Sequence, residues 1–139
     1  ANGEKYGKLY NWYAVNDPRG LAPEGWHIPT EAEWTEFIDF LGGESIAGTK
    51  MKSTSGWAAV DYDGESGNGT NESGFSGLPG GYRTADGSFK RIGETATWWS
   101  SSVNSKGGAG RIFMDYDDGK VRTPHTNKGR GVAVRCIRD

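Results

Sequence analysis

Residues 26–43 read Trp26-His27-Ile28-Pro29-Thr30-Glu31-Ala32-Glu33-Trp34-Thr35-Glu36-Phe37-Ile38-Asp39-Phe40-Leu41-Gly42-Gly43. Trp26 to Pro29 is extended, because the residue before a proline avoids the α region. Thr30 then caps a helix. Thr30-Glu31-Ala32-Glu33 fits the capping box, with Glu33 placed to reach back to the Thr30 amide. Trp34, Phe37, Ile38 and Leu41 fall at i, i+3, i+4 and i+7, one apolar stripe. Gly42-Gly43 ends the helix in left-handed geometry.

Outward from this helix the signals weaken and then recover. Tyr6 to Val15 alternates, with Leu9, Asn11, Tyr13 and Val15 on one face and Tyr10, Trp12 and Ala14 on the other, which predicts a first strand. Asp17-Pro18-Arg19-Gly20 is a turn. Residues 44–52 suggest a second, shorter helix with Ile46, Ala47 and Met51 inward. Ser53 to Gly81 is glycine-rich and aperiodic, and a loop of that length is either functional or internally packed. Trp57, Phe75 and Leu78 are its expected anchors.

The last third is strand-rich. Asp86-Gly87 joins Gly81–Thr84 to Ser88–Ile92, and Asp118-Gly119 joins Arg111–Tyr116 to Lys120–Arg122, both as hairpins. Thr97 to Ser102 has strand composition. Gly131 to Ile137 reads as a closing strand, with Val132, Val134 and Cys136 on one face and Ala133, Arg135 and Ile137 on the other. The first strand is positioned to pair with the last. Helices followed by an antiparallel sheet give an α+β domain spanning 1–139.

Composition narrows the function classes. The 139 residues include 23 Gly, six Trp, six Tyr and five Phe, so rings rather than aliphatic side chains build the core. Sixteen basic and 18 acidic residues leave a net charge of −2, without the basic stripe of a nucleic-acid binder. No run of about 18 apolar residues suggests membrane insertion. No signal-peptide pattern opens the chain, so such a peptide is expected to be absent or already removed, and Ala1 in place of a methionine reads as a trimmed start. The one cysteine, Cys136, excludes an intrachain disulfide and is expected as a buried, inert thiol.

Catalytic patterns are missing, and no enzymatic activity is expected. Ser76 lacks the spacing of a nucleophile elbow. His27 reads as structural. His125 reads as a surface contact without partners for zinc. Calcium is the one cofactor the chain suggests: Asp61, Asp63 and Glu65 start like a calcium loop, with Asn68, Asn71 and Glu72 as further oxygen donors. The glycine and glutamate of an EF-hand are absent, and the alternative is a hydrated acidic loop.

Several long runs resemble a known family. They are Gly7 to Ala14, Gly20 to Thr30, Gly69 to Arg83, Trp98 to Ser102 and Val134 to Asp139, and they are similar to the Fibrobacter succinogenes major paralogous domain. That family looks like a branch of the C-type-lectin-like fold, near the formylglycine-generating enzymes. The resemblance implies two helices, a terminal-strand-paired antiparallel sheet and long glycine-rich loops. It does not imply the enzymes' activity, which uses a pair of active-site cysteines. The sugar-binding motifs of calcium-dependent lectins are also missing.

Relatives of this family occur as variable proteins of diversity-generating retroelements, in which substitutions at adenine-rich codons of a C-terminal stretch form a ligand-binding surface. The resemblance places a variable segment at about 103–126. Its contact residues would be Gly110, Arg111, Phe113, Asp115, Asp117, Asp118, Lys120, Arg122, Pro124 and His125. Both diversification and ordinary drift would leave such a segment. Alternation supports the location, because it sets Arg111, Phe113 and Asp115 on one face, opposite Ile112, Met114 and Tyr116. Arginine and aromatic residues are enriched at binding hot spots. The expectation is a non-enzymatic recognition domain for a protein or glycan ligand, secreted or displayed on a bacterial surface or phage particle. The alternatives are a carbohydrate-binding module, with Trp57, Tyr62 and Phe113 as stacking platforms, or a structural spacer.

Overall fold

A computed structural model describes residues 1–60 and 64–139. The elements run α1 (Asn2–Tyr6), α2 (Trp12–Val15), β1 (Trp26–His27), α3 (Glu31–Phe40), α4 (Ala47–Met51), β2 (Tyr82–Arg83), β3 (Phe89–Lys90), β4 (Thr95–Val103), β5 (Ala109–Asp115), β6 (His125–Thr126) and β7 (Ile137–Arg138). The fold is α+β, with antiparallel sheets β1-β7, β2-β3 and β4-β5-β6.

Helix α3 forms where its sequence predicts. Thr30 Oγ1 accepts the Glu33 N–H, and Glu33 Oε2 accepts the Thr30 N–H at 2.8 Å, closing the capping box. At the other end Gly43 N–H bonds the Ile38 carbonyl and Gly42 N–H bonds that of Asp39, with φ of 95° and 109°. That is a Schellman stop, and both positions require left-handed backbone. Trp34, Ile38 and Leu41 are buried, and Phe37 packs beside them.

The sheet of β4 and β5 separates two cores. Consecutive residues of a strand point to opposite faces, so Trp98 and Trp99 supply one ring to each side. Ala96, Trp98, Ile112 and Met114 face α3, α4, Trp57 and Phe75. Phe75 from the long loop meets Trp98 edge-on, with centroids 4.9 Å apart. On the other side Trp99 packs with Trp12, Ala109 and Val132. The long loop is internally packed where described: Trp57 and Phe75 are buried, and Leu78 is half-buried.

Four expectations need correction. Residues 6–15 do not form a strand: Asn11 Oδ1 accepts the Ala14 N–H at 3.0 Å and caps α2, leaving a single bridge between Tyr10 and Val132. An N-cap that satisfies a backbone donor locally outcompetes alternation. The second helix covers only Ala47–Met51, with Ile46 outside it and exposed. The closing segment is mostly irregular. Gly131, Val132 and Ala133 make isolated bridges, and strand structure is confined to Ile137–Arg138. The chain ends still meet, through Tyr10–Val132 and through β1–β7. In the second hairpin, β5 runs Ala109–Asp115, and its return contributes one bridge, Phe113 to Arg122, before β6.

His27 fastens the chain end to the start of α3. Its Nδ1 lies 2.6 Å from Asp139 Oδ1 and its Nε2 lies 2.8 Å from Glu33 Oε1. These hydrogen bonds, Asp139's first and Glu33's second, raise the imidazole above its ordinary 6.5. The Glu33 carboxyl is lowered from 4.5, by the Thr30 N–H first and His27 next. A raised histidine contributes stability that is complete below its unfolded pKa and lost as pH rises through its folded pKa. The lowered glutamate contributes above its unfolded pKa and loses that contribution as pH falls. The contact therefore stabilises most between about pH 4.5 and 6.5. We expect the melting temperature to decline as pH rises past about 6.5, and His27→Gln to flatten that decline. Thermal unfolding of both proteins across that range checks this, and parallel curves would refute it.

Candidate functional site

On β5, Ile112 and Met114 point into the core, while Arg111, Phe113 and Asp115 are half-buried on the opposite face. The register sets Arg111 across from Trp99, Phe113 across from Thr97, and Asp115 across from Thr95. The predicted contact row therefore borders the second core. Arg111 stacks over Phe113, its guanidinium carbon 5.1 Å from the ring centroid. Its Nη1 donates to Thr97 Oγ1 at 3.2 Å, and its Nε is buried with no partner. Burial pushes the guanidinium down to about 10, and the like charge of Arg130 adds to the effect. Thr95 Oγ1 is likewise buried without a partner. Arg130 lies with its guanidinium 5.3 Å from the Tyr82 ring of β2.

The acidic residues are largely engaged within the chain. Arg91 Nη2 lies 2.9 Å from Asp115 Oδ1, and burial raises the Asp115 carboxyl against the pull of the Tyr116 N–H and Arg91. Arg122 holds Asp118. Burial alone would raise the Asp118 carboxyl, but the Arg122 hydrogen bond and the Lys120 N–H leave it below its ordinary value.

The ten residues predicted for binding separate into three places. Arg111, Phe113 and Asp115 share the sheet face. Asp117, Asp118 and Lys120 lie at the turn beyond β5, where Asp117 and Lys120 are exposed; Arg122 joins them through Asp118. Gly110 and His125 pair at the opposite end of the strand. Pro124 is half-buried there, and its carbonyl accepts the Arg111 N–H. Gly110 is a buried spacer: a Cβ there would come within 2.6 Å of Ser100 Oγ. His125 is exposed, its Nε2 3.2 Å from Glu31 Oε2. It borders an open bowl of about 400 Å³ lined by Tyr13, Asn104, Lys106, Asn127 and Lys128.

Lys52 went unnoticed in the sequence. It is buried, and its ammonium donates to the Asp118 carbonyl at 2.6 Å and lies 4.6 Å from the centre of the Trp57 ring. Burial lowers its pKa, against the attraction of Asp118, Asp115 and Asp117. A protein cation thus already serves the acidic turn. Of the proposed calcium donors, Asp61 and Asp63 lie outside the described residues, as does Tyr62. Asn68 Oδ1 accepts the Trp57 N–H, and Asn71 Oδ1 accepts the Ser76 N–H. Among the described residues no group of three or more His, Cys, Asp or Glu side chains is placed to hold a metal.

Two further expectations change. Trp57 is 6% exposed and donates its indole N–H to Ser53 Oγ and the Gly77 carbonyl, so it offers no stacking surface. Cys136 is half-buried, and burial raises its thiol pKa. It lines an apolar cleft of about 270 Å³ with Trp26, Phe37, Phe75 and Ile137.

The Fibrobacter succinogenes major domain family model matches residues 1–138, and the chain belongs to that family. No curated protein and no solved structure matches the chain. No helix among the described residues is long and apolar enough to cross a membrane.

Lys52→Met would remove the ammonium from beneath the Asp117–Asp118 turn and leave the Asp118 carbonyl unserved. We expect a loss of about 1–3 kcal/mol, measured by denaturant unfolding. An unchanged midpoint would show that the turn does not rely on this cation.

Proposed function

For a chain of the Fibrobacter succinogenes major domain family carrying this half-buried Arg111–Phe113–Asp115 row, we propose a non-enzymatic recognition domain that binds a protein or glycan ligand. The observation that carries the reading is Arg111, whose Nε is buried without a partner beside an aromatic ring on the sheet face. A buried polar group without a partner is costly. Stacked arginine and aromatic pairs are the residues on which binding energy concentrates.

We further propose that the domain belongs to the C-type-lectin-like branch. The meeting of the chain ends, the two cores around β4 and the long packed loop support that assignment. Diversification of the segment at about 103–126 fits the alternation on β5, where outward positions can change without touching Ile112 or Met114. A reverse-transcriptase gene and a near-identical template repeat in the adjoining DNA would identify it. We place the domain in a secreted or surface protein of a bacterium, or on a phage particle, requiring neither metal nor cofactor.

A second reading, a carbohydrate-binding module, is favoured by the bowl beside His125. Tyr13 there is 63% exposed, and Asn104, Asn127 and the Gly107–Gly108 backbone surround it. An exposed ring with amide groups around it suits a sugar ring. A glycan array run with Tyr13→Ala tests the bowl, since the first reading places the site on the Arg111–Phe113–Asp115 row.

The test is a combined Arg111→Ala, Phe113→Ala and Asp115→Ala variant, screened against displayed bacterial surface proteins and against the array. Hot-spot losses of at least about 2 kcal/mol predict a weakening of roughly thirtyfold or more. Glu36→Ala on the exposed side of α3 serves as the control. Binding by the triple variant at full strength would move the site elsewhere.

A further inference from the structure

We infer that the cavity between residues 5–10, β4 and residues 133–135 is a second binding site, and that its ligand is a small sugar carrying a phosphate ester. The site does not rest on the recognition reading above, since no residue of the Arg111–Phe113–Asp115 row lines it.

The cavity measures about 370 Å³, and small-ligand pockets run about 300–1,000 Å³. Three cationic side chains line it, Lys5 and Lys8 near the start of the chain and Arg135 near its end, and no acidic residue does. All three are exposed, so a ligand can reach them from solvent. None forms an ion pair among the described residues. Glu4, the acid next to Lys5 in the chain, is bonded to the Ala1 ammonium at 2.7 Å. Lys5 and Arg135 contact rings instead, Lys5 that of Tyr6 at 4.9 Å and Arg135 that of Phe75 at 4.7 Å.

The fold brings these distant residues together. Tyr10 and Val132 exchange main-chain hydrogen bonds of 2.9 and 3.0 Å, which joins the two chain segments. Gly80 admits Tyr6, because a Cβ there would lie 3.2 Å from the Tyr6 Cβ. Trp98 and its bridge partner Ala133 add apolar lining.

A concave surface with one sign of charge over apolar walls focuses the field and concentrates counter-ions. Three cations exceed what one carboxylate neutralises, whereas a phosphate ester carries about −1.5 to −2 charges and three acceptor oxygens. Ammonium groups are compact point charges that can meet a tetrahedral group from separate sides. A planar carboxylate is best matched by a guanidinium fork, and the cavity has one. The half-buried rings of Tyr6 and Tyr10 and the hydroxyl of Ser76 also line the space, a mixture that suits a sugar ring.

The probe is glucose 6-phosphate, followed by titration calorimetry at low salt. Glucose, glucuronate, glucose 6-sulfate and inorganic phosphate are the comparison arms. We expect saturable binding of glucose 6-phosphate with one site per chain, weakening as added salt screens the charges. Every comparison arm should bind more weakly. Lys8→Gln and Arg135→Gln should each weaken binding roughly tenfold. Both residues are exposed and outside the two core clusters, so the variants keep the fold, and their melting temperatures check this. Lys90→Gln removes the same charge from β3, outside the cavity, and should bind like the parent. Absence of saturable binding, parental affinity in both Lys8→Gln and Arg135→Gln, or an equal loss in Lys90→Gln would each overturn the site. Glucuronate or glucose 6-sulfate binding as tightly would overturn the phosphate, and inorganic phosphate binding as tightly would overturn the sugar.

Discussion

Strand β4 is held by three tryptophan indoles that hydrogen-bond to main-chain carbonyls on and around it. Trp34 Nε1 donates to the Trp99 carbonyl at 3.2 Å, Trp12 Nε1 to that of Ser100 at 3.0 Å, and Trp99 Nε1 to that of Tyr10 at 2.7 Å. Each bond satisfies a buried donor and a main-chain acceptor together, and a buried polar atom left unpaired would cost about 1–3 kcal/mol. The rings bury large apolar areas in the same contacts. One strand is thereby tied to α2, α3 and the segment before α2. A chain with few aliphatic residues obtains two cores from a single sheet in this way.

That arrangement determines where a binding face can exist. With β4 buried along Thr95–Ser100, the outward side chains of that stretch of sheet come from β5, whose Arg111, Phe113 and Asp115 are half-buried. The outward row of β5 begins beside Trp99, which is fully buried, and ends at Asp115, bonded to Arg91. Arg111 is nearest the core and Asp115 nearest the turn. The polarity of the face thus follows from its distance to the second core. The least solvated charge is the cation, and the best-satisfied one is the anion.

Local features of this architecture were legible in the sequence, and contacts made across long separations were not. The capping box at Thr30, the stop at Gly42–Gly43, the Asp86-Gly87 hairpin and the alternation on β5 each depend on residues a few positions apart. The alternation of Tyr6–Val15 was misleading because Asn11, one residue within it, gains more by capping a turn than by extending a strand. Arg130 could not be placed from the sequence. It is brought beside β2 by the antiparallel bridge between Arg83 and Gly131, and nothing in the composition near residue 130 announces that pairing. Lys52 was missed for a similar reason. A lysine after a short helix reads as solvated until the Asp118 carbonyl is seen beside its ammonium.

The distribution of ion pairs assigns roles within the predicted segment. Acidic side chains on a contact segment can set specificity by repelling wrong partners. Asp115 and Asp118 instead neutralise Arg91 and Arg122, and a carboxylate already bonded to an arginine presents little net charge to an approaching surface. The charge left on the β5 row is Arg111, which forms no ion pair among the described residues. Changing Asp115 would release Arg91 and alter the face indirectly, whereas changing Arg111 removes the charge itself. A substitution at Arg111 would therefore leave the Asp115–Arg91 and Asp118–Arg122 pairs intact.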